Sequence, residues 1–265
     1  MKANYHTHTW RCHHADGQDE DYIRAALEAG FEELGFADHS PWPFAGGFVS
    51  GIRMTCDQLP DYIGSLHALR EKYAGRLSIR LGLESEYFPR YHDHLLRMRD
   101  AGIEYFILGQ HYPDSEEDHP YIGGLCREDS GVMQYAEAVV RGIRTGLYSY
   151  VAHADLLMGP RPDGDFNAAC MQATDMICQA AKEQGIPLEY NLLGLVRRIA
   201  RGDQGGYPCP PFWEYARKWH VPAIIGVDAH APQELNNPDI WNRAQKTLTD
   251  LGYEIIDHLD LEASR

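Results

Sequence analysis

Apolar and polar positions follow two rhythms that alternate along this chain. Short runs poor in charge, at 2–6, 31–37, 77–83, 105–108, 149–152, 187–190 and 223–227, predict buried strands. Between them apolar residues recur at helical spacing, as in Tyr22-Ile23-Ala26-Leu27 ahead of Gly30. Further helices are predicted near 57–75 (with Asp57 as N-cap), 91–100, 132–145, 166–183, 211–219 and 239–251, several of them closed by glycine. The stretches 40–56, 112–128 and 158–165 predict loops, and a short apolar tail at 253–256 ends the pattern. Strand-then-helix repeats of this kind imply parallel pairing with right-handed crossovers. No composition break marks a linker. The expected fold is therefore α/β, a single domain over 1–265 built as a distorted seven-stranded (β/α)7 barrel of the TIM-barrel type. An open doubly wound sheet is the alternative, but no GxGxxG follows the first strand.

The residues just past each strand turn the picture from fold to chemistry. His6 and His8 lie two apart on a strand, on one side and about 6–7 Å from each other. Later strands are followed by His39, Glu84, His111, His153, Asn191, and Asp228 with His230. In a β/α barrel these ends converge on one face, where active sites are built. One of the neighbours His13 and His14 is expected to join them, and His14 is the candidate. His67, His92, His94, His220 and His258 fall on helices or the tail and read as solvated or packed side chains. Each member of the convergent set has an ordinary explanation alone: a polar rim, a loop hydrogen bond, a surface carboxylate. Their arrival together points to metal.

Composition narrows the metal and the substrate. The 14 histidines are more than surface-filling calls for, and the six cysteines are scattered without a CxxC pair, which predicts reduced thiols. Imidazole with carboxylate and no convergent thiolate suits Zn, Fe or Mn more than Ca or Mg. Catalytic zinc takes about three protein ligands. The set is too large for one ion and implies two or three divalent ions, with Glu84 or Asp228 bridging. The net charge of −15 argues against a nucleic-acid partner or an anionic membrane surface. Bound ions reverse the field locally, so a small phosphorylated substrate fits, hydrolysed by a hydroxide bridging two ions. Arg161 and Arg197, in loops after the fifth and sixth strands, are candidate phosphate forks, and Arg198 a weaker one. Asp16 and His119 are weak candidates for protonating the leaving group. The chain enters its histidine motif directly, and no apolar run approaches the roughly 20 residues needed to span a bilayer. The expected location is the cytoplasm.

Six motifs then stand in order: His6-Thr7-His8-Thr9 with Cys12-His13-His14-Ala15, Ala37-Asp38-His39, Gly82-Leu83-Glu84, Gly109-Gln110-His111, Ala152-His153-Ala154-Asp155 and Gly226-Val227-Asp228-Ala229-His230. Together they resemble the polymerase-and-histidinol-phosphatase (PHP) superfamily, in its histidinol-phosphatase branch, over nearly the whole chain. The resemblance implies a three-metal centre: His6, His8, Glu84 and Asp228 at one ion, Glu84, His111 and His153 at a second, His14, His39 and His230 at a third. It also implies hydrolysis of L-histidinol phosphate to L-histidinol and phosphate, a step of histidine synthesis. Rival readings are a related phosphoesterase acting on nucleotides or other small esters, and a non-catalytic metal-binding barrel. An amidohydrolase is a further rival, but it would place a modified lysine at a strand end. Lys2, Lys72, Lys182, Lys218 and Lys246 all stand elsewhere.

Overall fold

The computed structural model describes residues 2–261. Parallel strands follow one another in chain order across a single curled sheet: β1 (Ala3–Asn4), β2 (Glu33–His39), β3 (Ser78–Ser85), β4 (Tyr105–Leu108), β5 (Tyr150–Val151), β6 (Leu188–Asn191), β7 (Ala223–Gly226) and β8 (Ile255–Ile256). The expected seven strands are thus corrected to eight. The apolar tail forms the extra one, pairing Ala223 with Ile255 and Ile224 with Ile256. Two residues are too short a run to show a strand period, so the pattern left them as a tail.

Helices cover the outside: α1 (Asp19–Ala29), α2 (Leu59–Lys72), α3 (His92–Asp100), α4 (Ile122–Leu125), α5 (Asp129–Ile143), α6 (Ala168–Gln184), α7 (Leu192–Ala200), α8 (Pro210–Ala216) and α9 (Pro238–Asp250). The segment carrying Arg197 and Arg198 is helix α7, not a loop. Asn191 starts it, its side-chain oxygen accepting from Gly194 N at 2.8 Å, while Leu192 and Leu195 turn inward. Among the described residues no helix is long and apolar enough to cross a membrane.

Strand β1 is short because the chain peels away from β2 after Asn4. The Tyr105 hydroxyl fills the gap, donating to the carbonyls of Tyr5 and Phe36 at 2.9 Å each. The next segment still touches β2, with Thr7 O accepting from Ala37 N at 2.9 Å, and its other edge reaches the chain after β7. His8 N donates to Ala229 O at 2.8 Å, and Ala229 N donates to His6 O at 3.2 Å. The first and seventh strand ends are therefore neighbours at the rim. At the opposite end the tail closes the interior: Leu259 N donates to the Tyr5 hydroxyl at 3.0 Å, and Leu261 is buried with Tyr5, Tyr105 and Tyr150.

Candidate metal centre

The strand ends bring His6, His8, His14, His39, Glu84, His111, His153, Asp228 and His230 to one face. Around a first point, His6 Nε2 lies 3.1 Å from His8 Nε2 and 3.4 Å from both Glu84 Oε2 and Asp228 Oδ1. His8 Nε2 lies 3.3 Å from the same two oxygens. A tetrahedral ion with bonds of about 2.0–2.2 Å separates its ligand atoms by roughly 3.3–3.6 Å. The other carboxylate oxygen of Glu84 faces a second group, with His153 Nε2 at 2.8 Å and His111 Nε2 at 3.4 Å. Glu84 thus straddles two sets of ligand atoms.

Hydrogen bonds behind the imidazoles fix which nitrogen carries the lone pair. His14 Nδ1 donates to Cys12 O at 2.6 Å and His230 Nδ1 to Asp228 O at 3.0 Å, which leaves both Nε2 atoms without hydrogen. Those two Nε2 atoms stand 3.0 Å apart. Two acceptor nitrogens so close call for a positive charge shared between them, a proton or a metal ion. The same logic holds at His6, whose Nδ1 donates to Glu189 Oε1 at 2.7 Å, and at His111, whose Nδ1 donates to Glu86 Oε1 at 3.2 Å. His39 Nδ1 is buried with no hydrogen-bond partner, although Glu84 Oε2 is 3.1 Å away. His39 lies between the sets, its ring 4.5 Å from that of His8, 5.4 Å from that of His14 and 5.2 Å from that of His111. These residues form a donor set for divalent metal.

The electrostatics agree. Burial alone would raise the carboxyls of Glu84 and Asp228, but the surrounding imidazoles overcome it and hold both well below the usual carboxylate range. Burial drives His39 far below its ordinary value, and burial with the charge of His8 brings His230 down to about 4, so both offer neutral nitrogens at physiological pH. His6 goes the other way, up to about 10: burial opposes its charge, yet Glu189, Asp228 and Glu84 outweigh it. A proton there does the work of a cation, and metal binding would displace it. Two of these candidate ligands, His153 at φ 33° and Asp228 at φ 56°, hold left-handed backbone that non-glycine residues seldom adopt.

Several supporting residues escaped the sequence reading. Glu189, fully buried in β6, also accepts from His153 N at 2.9 Å and from Asn191 Nδ2 at 3.0 Å. A carboxylate in the middle of a buried strand was the available signal. Asn191 is a support and helix cap, its Nδ2 donating to Asp228 Oδ2 at 3.1 Å. Glu86, two residues after Glu84 in sequence, is held by Arg53 Nη2 at 2.8 Å and Trp42 Nε1 at 3.1 Å, which ties the 40–56 segment to His111. Glycines make room for both kinds of carboxylate. A Cβ on Gly109 would stand 1.9 Å from Glu84 Oε1, and one on Gly226 would stand 1.8 Å from Glu189 Oε1. Glu189→Gln is expected to weaken metal binding at the His6 set about 10- to 100-fold. A competition titration with a chelating dye measures this, and unchanged affinity would remove Glu189 from the metal's support.

The two arginine expectations part company. Arg161 is not brought to the cluster. Its guanidinium is buried and donates to Cys126 O at 2.6 Å, Arg127 O at 3.2 Å, Asp165 O at 3.3 Å and Asp129 Oδ1 at 2.7 Å, stapling two loops. A phosphate role would require those bonds to break. Arg198 is likewise bound to Asp163. Arg197 is exposed and lines a 350 Å³ pocket with Tyr121 and Tyr207. Tyr121 stacks on His111 at 6.2 Å and Tyr207 leans on His153 at 5.8 Å, so the pocket adjoins these two candidate ligands. Both His13 and His14 are exposed, but only His14 reaches the cluster, through His230 Nε2 at 3.0 Å, while His13 is a left-handed residue at φ 66°.

Residues 4–192 match the family model for the PHP domain. The chain is 32% identical over 243 residues to the probable histidinol-phosphatase of Deinococcus radiodurans, covering 87% of this chain and 86% of that one. It is 25% identical over 254 residues to the histidinol-phosphatase of Bacillus subtilis, covering 87% of this chain and 94% of that one. Among solved structures, the fold matches a histidinol phosphate phosphatase from Lactococcus lactis complexed with zinc, L-histidinol and phosphate. That match has a TM-score of 0.72 and 16% identity over 98% of each chain, a likeness of fold.

Proposed function

The chain belongs to the PHP-domain family, and from that premise we propose that it is a metal-dependent phosphatase acting on L-histidinol phosphate, releasing L-histidinol and phosphate. The observation that carries the proposal is the convergence of imidazole Nε2 atoms, His6 on His8 at 3.1 Å and His14 on His230 at 3.0 Å, with Glu84 and Asp228 beside the first pair. His6, His8, Glu84 and Asp228 would hold one ion, Glu84, His111 and His153 a second, and His14, His39 and His230 a third. Zinc, iron or manganese suits these ligands. Such ions, when bound, supply Lewis acidity to the phosphoryl oxygens and bring the pKa of water towards neutrality.

The chain's own residues do the rest. Glu84 sets the spacing of the first two positions through its two oxygens. Glu189 and Glu86 hold His6 and His111 in the tautomers that present Nε2. Arg197 orients the phosphate from the pocket side, a guanidinium fork matching its oxygens. Tyr121 and Tyr207 wall off the space for the alcohol part of the ester.

The deciding experiment is a phosphatase screen with metal-replete protein, setting L-histidinol phosphate beside nucleotides and sugar phosphates. The expected result is kcat/KM for histidinol phosphate at least about tenfold above the others, equivalent to about 1.4 kcal/mol of transition-state preference. Failure on histidinol phosphate with turnover of another ester would overturn the substrate and keep the chemistry.

A further inference from the structure

The pocket beside the candidate metal ligands carries more positive charge than the phosphate role of Arg197 requires. Arg127, Arg197, Arg198 and Arg201 line it, and no aspartate or glutamate does. Arg198 is neutralised by Asp163. Among the described residues, no carboxylate lies within ion-pair distance of Arg127, Arg197 or Arg201. Elsewhere several arginines are paired with carboxylates, as Arg11 is with Asp19 and Asp61, or Arg53 with Glu86 and Glu116. An acidic protein of net charge −15 therefore keeps three uncompensated guanidinium groups around one 350 Å³ space.

The wall that holds them is built for this shape. Gly205 and Gly206, at φ 67° and 78°, turn the chain tightly past Arg201. Tyr207 comes so close to α7 that a Cβ on Gly194 would stand 2.5 Å from its ring. The volume is that of a small-ligand pocket, and it opens beside His111 and His153 through Tyr121 and Tyr207.

We propose that Arg127 and Arg201 form an anion-capture station for the phosphate dianion, one step outside the metal centre and continuous with it through Arg197. The ligand is a phosphate group, either on an incoming ester or as departing orthophosphate. The physical reason is repulsion. A dianion approaching a body of charge −15 is disfavoured until a local positive field gathers it, and such focusing raises association rates by about 10- to 1,000-fold. Because that field acts through solvent, it fades as the screening length shrinks from about 10 Å at 0.1 M salt to about 3 Å at 1 M.

The inference rests on the phosphatase reading, so its test uses p-nitrophenyl phosphate, a phosphomonoester that does not depend on the identity of the natural alcohol. Metal-replete wild type and the double variant Arg127→Gln/Arg201→Gln are compared across ionic strength. At low salt the variant is expected to lose about tenfold in kcat/KM with kcat within about twofold of wild type. Near 1 M salt the difference should vanish, and metal content should match throughout. Inhibition by orthophosphate separates the two sources. A weakened inhibition constant in the variant assigns the station to product as well as substrate, and an unchanged one assigns it to the entering ester alone. Equal salt dependence in wild type and variant would overturn the inference. No turnover by wild type of either this ester or histidinol phosphate would instead overturn the phosphatase reading beneath it.

Discussion

Gly109→Ala is expected to lower kcat at least about 100-fold in a protein that stays folded, and to strip metal from the His111–His153 set. Gly109 immediately follows β4 and carries no chemistry. Its importance is the space it leaves: a Cβ there would lie 1.9 Å from Glu84 Oε1 and 2.6 Å from its carboxyl carbon. Glu84 would have to swing away, and its Oε1 would leave His153 at 2.8 Å and His111 at 3.4 Å. Loss of a residue that merely supports a ligand costs about 10- to 100-fold, so displacing the shared ligand itself should cost more. Steady-state kinetics, metal analysis and a thermal melt together test this. Full metal content with wild-type kcat in the variant would show that Glu84 does not bridge.

Asp228→Asn is expected to cost about 1,000-fold or more in kcat, the several kcal/mol that a correctly held Lewis acid contributes. The substitution is unusually clean. Asp228 sits at φ 56°, where asparagine is at ease, so the backbone has no reason to move. What changes is the negative charge 3.4 Å from His6 Nε2 and 3.3 Å from His8 Nε2. Metal bound per chain should fall by about one equivalent while the fold persists. Intact turnover would sink the assignment of Asp228 to the metal.

Much of this centre was legible in the sequence because a parallel β/α fold puts strand ends on one face. The hydrophobic runs located the strands, and His, Glu or Asp followed all of them but the sixth, so His6, His39, Glu84, His111, His153 and Asp228 could be collected without coordinates. The glycines of Gly109-Gln110-His111 and Gly226-Val227-Asp228 were visible too, but their reason was not. It lies in Glu84 and Glu189 on neighbouring strands, a relation that exists only once the register is set. Helix α7 was missed because Leu192 and Leu195 make a short apolar stripe, and because Asn191 looked like a ligand when it is the cap and a brace for Asp228. Arg161 was overvalued for a related cause. Its chemistry suits phosphate, yet loop carbonyls suit it equally well, and spacing along a chain does not reveal them.

The crossing of the first segment to Ala229 also fixes an order of events in time. His6 and His8 emerge first from the ribosome, yet their backbone finds its partner only when residue 229 has been made. Contacts of that sequence separation form late and slowly. A nascent chain carrying most of the ligands therefore still lacks Asp228, His230 and the edge that orients the opening histidines. Metal loading at the His6 and His14 sets would then follow synthesis of nearly the whole polypeptide, whereas Glu84, His111 and His153 all precede β7.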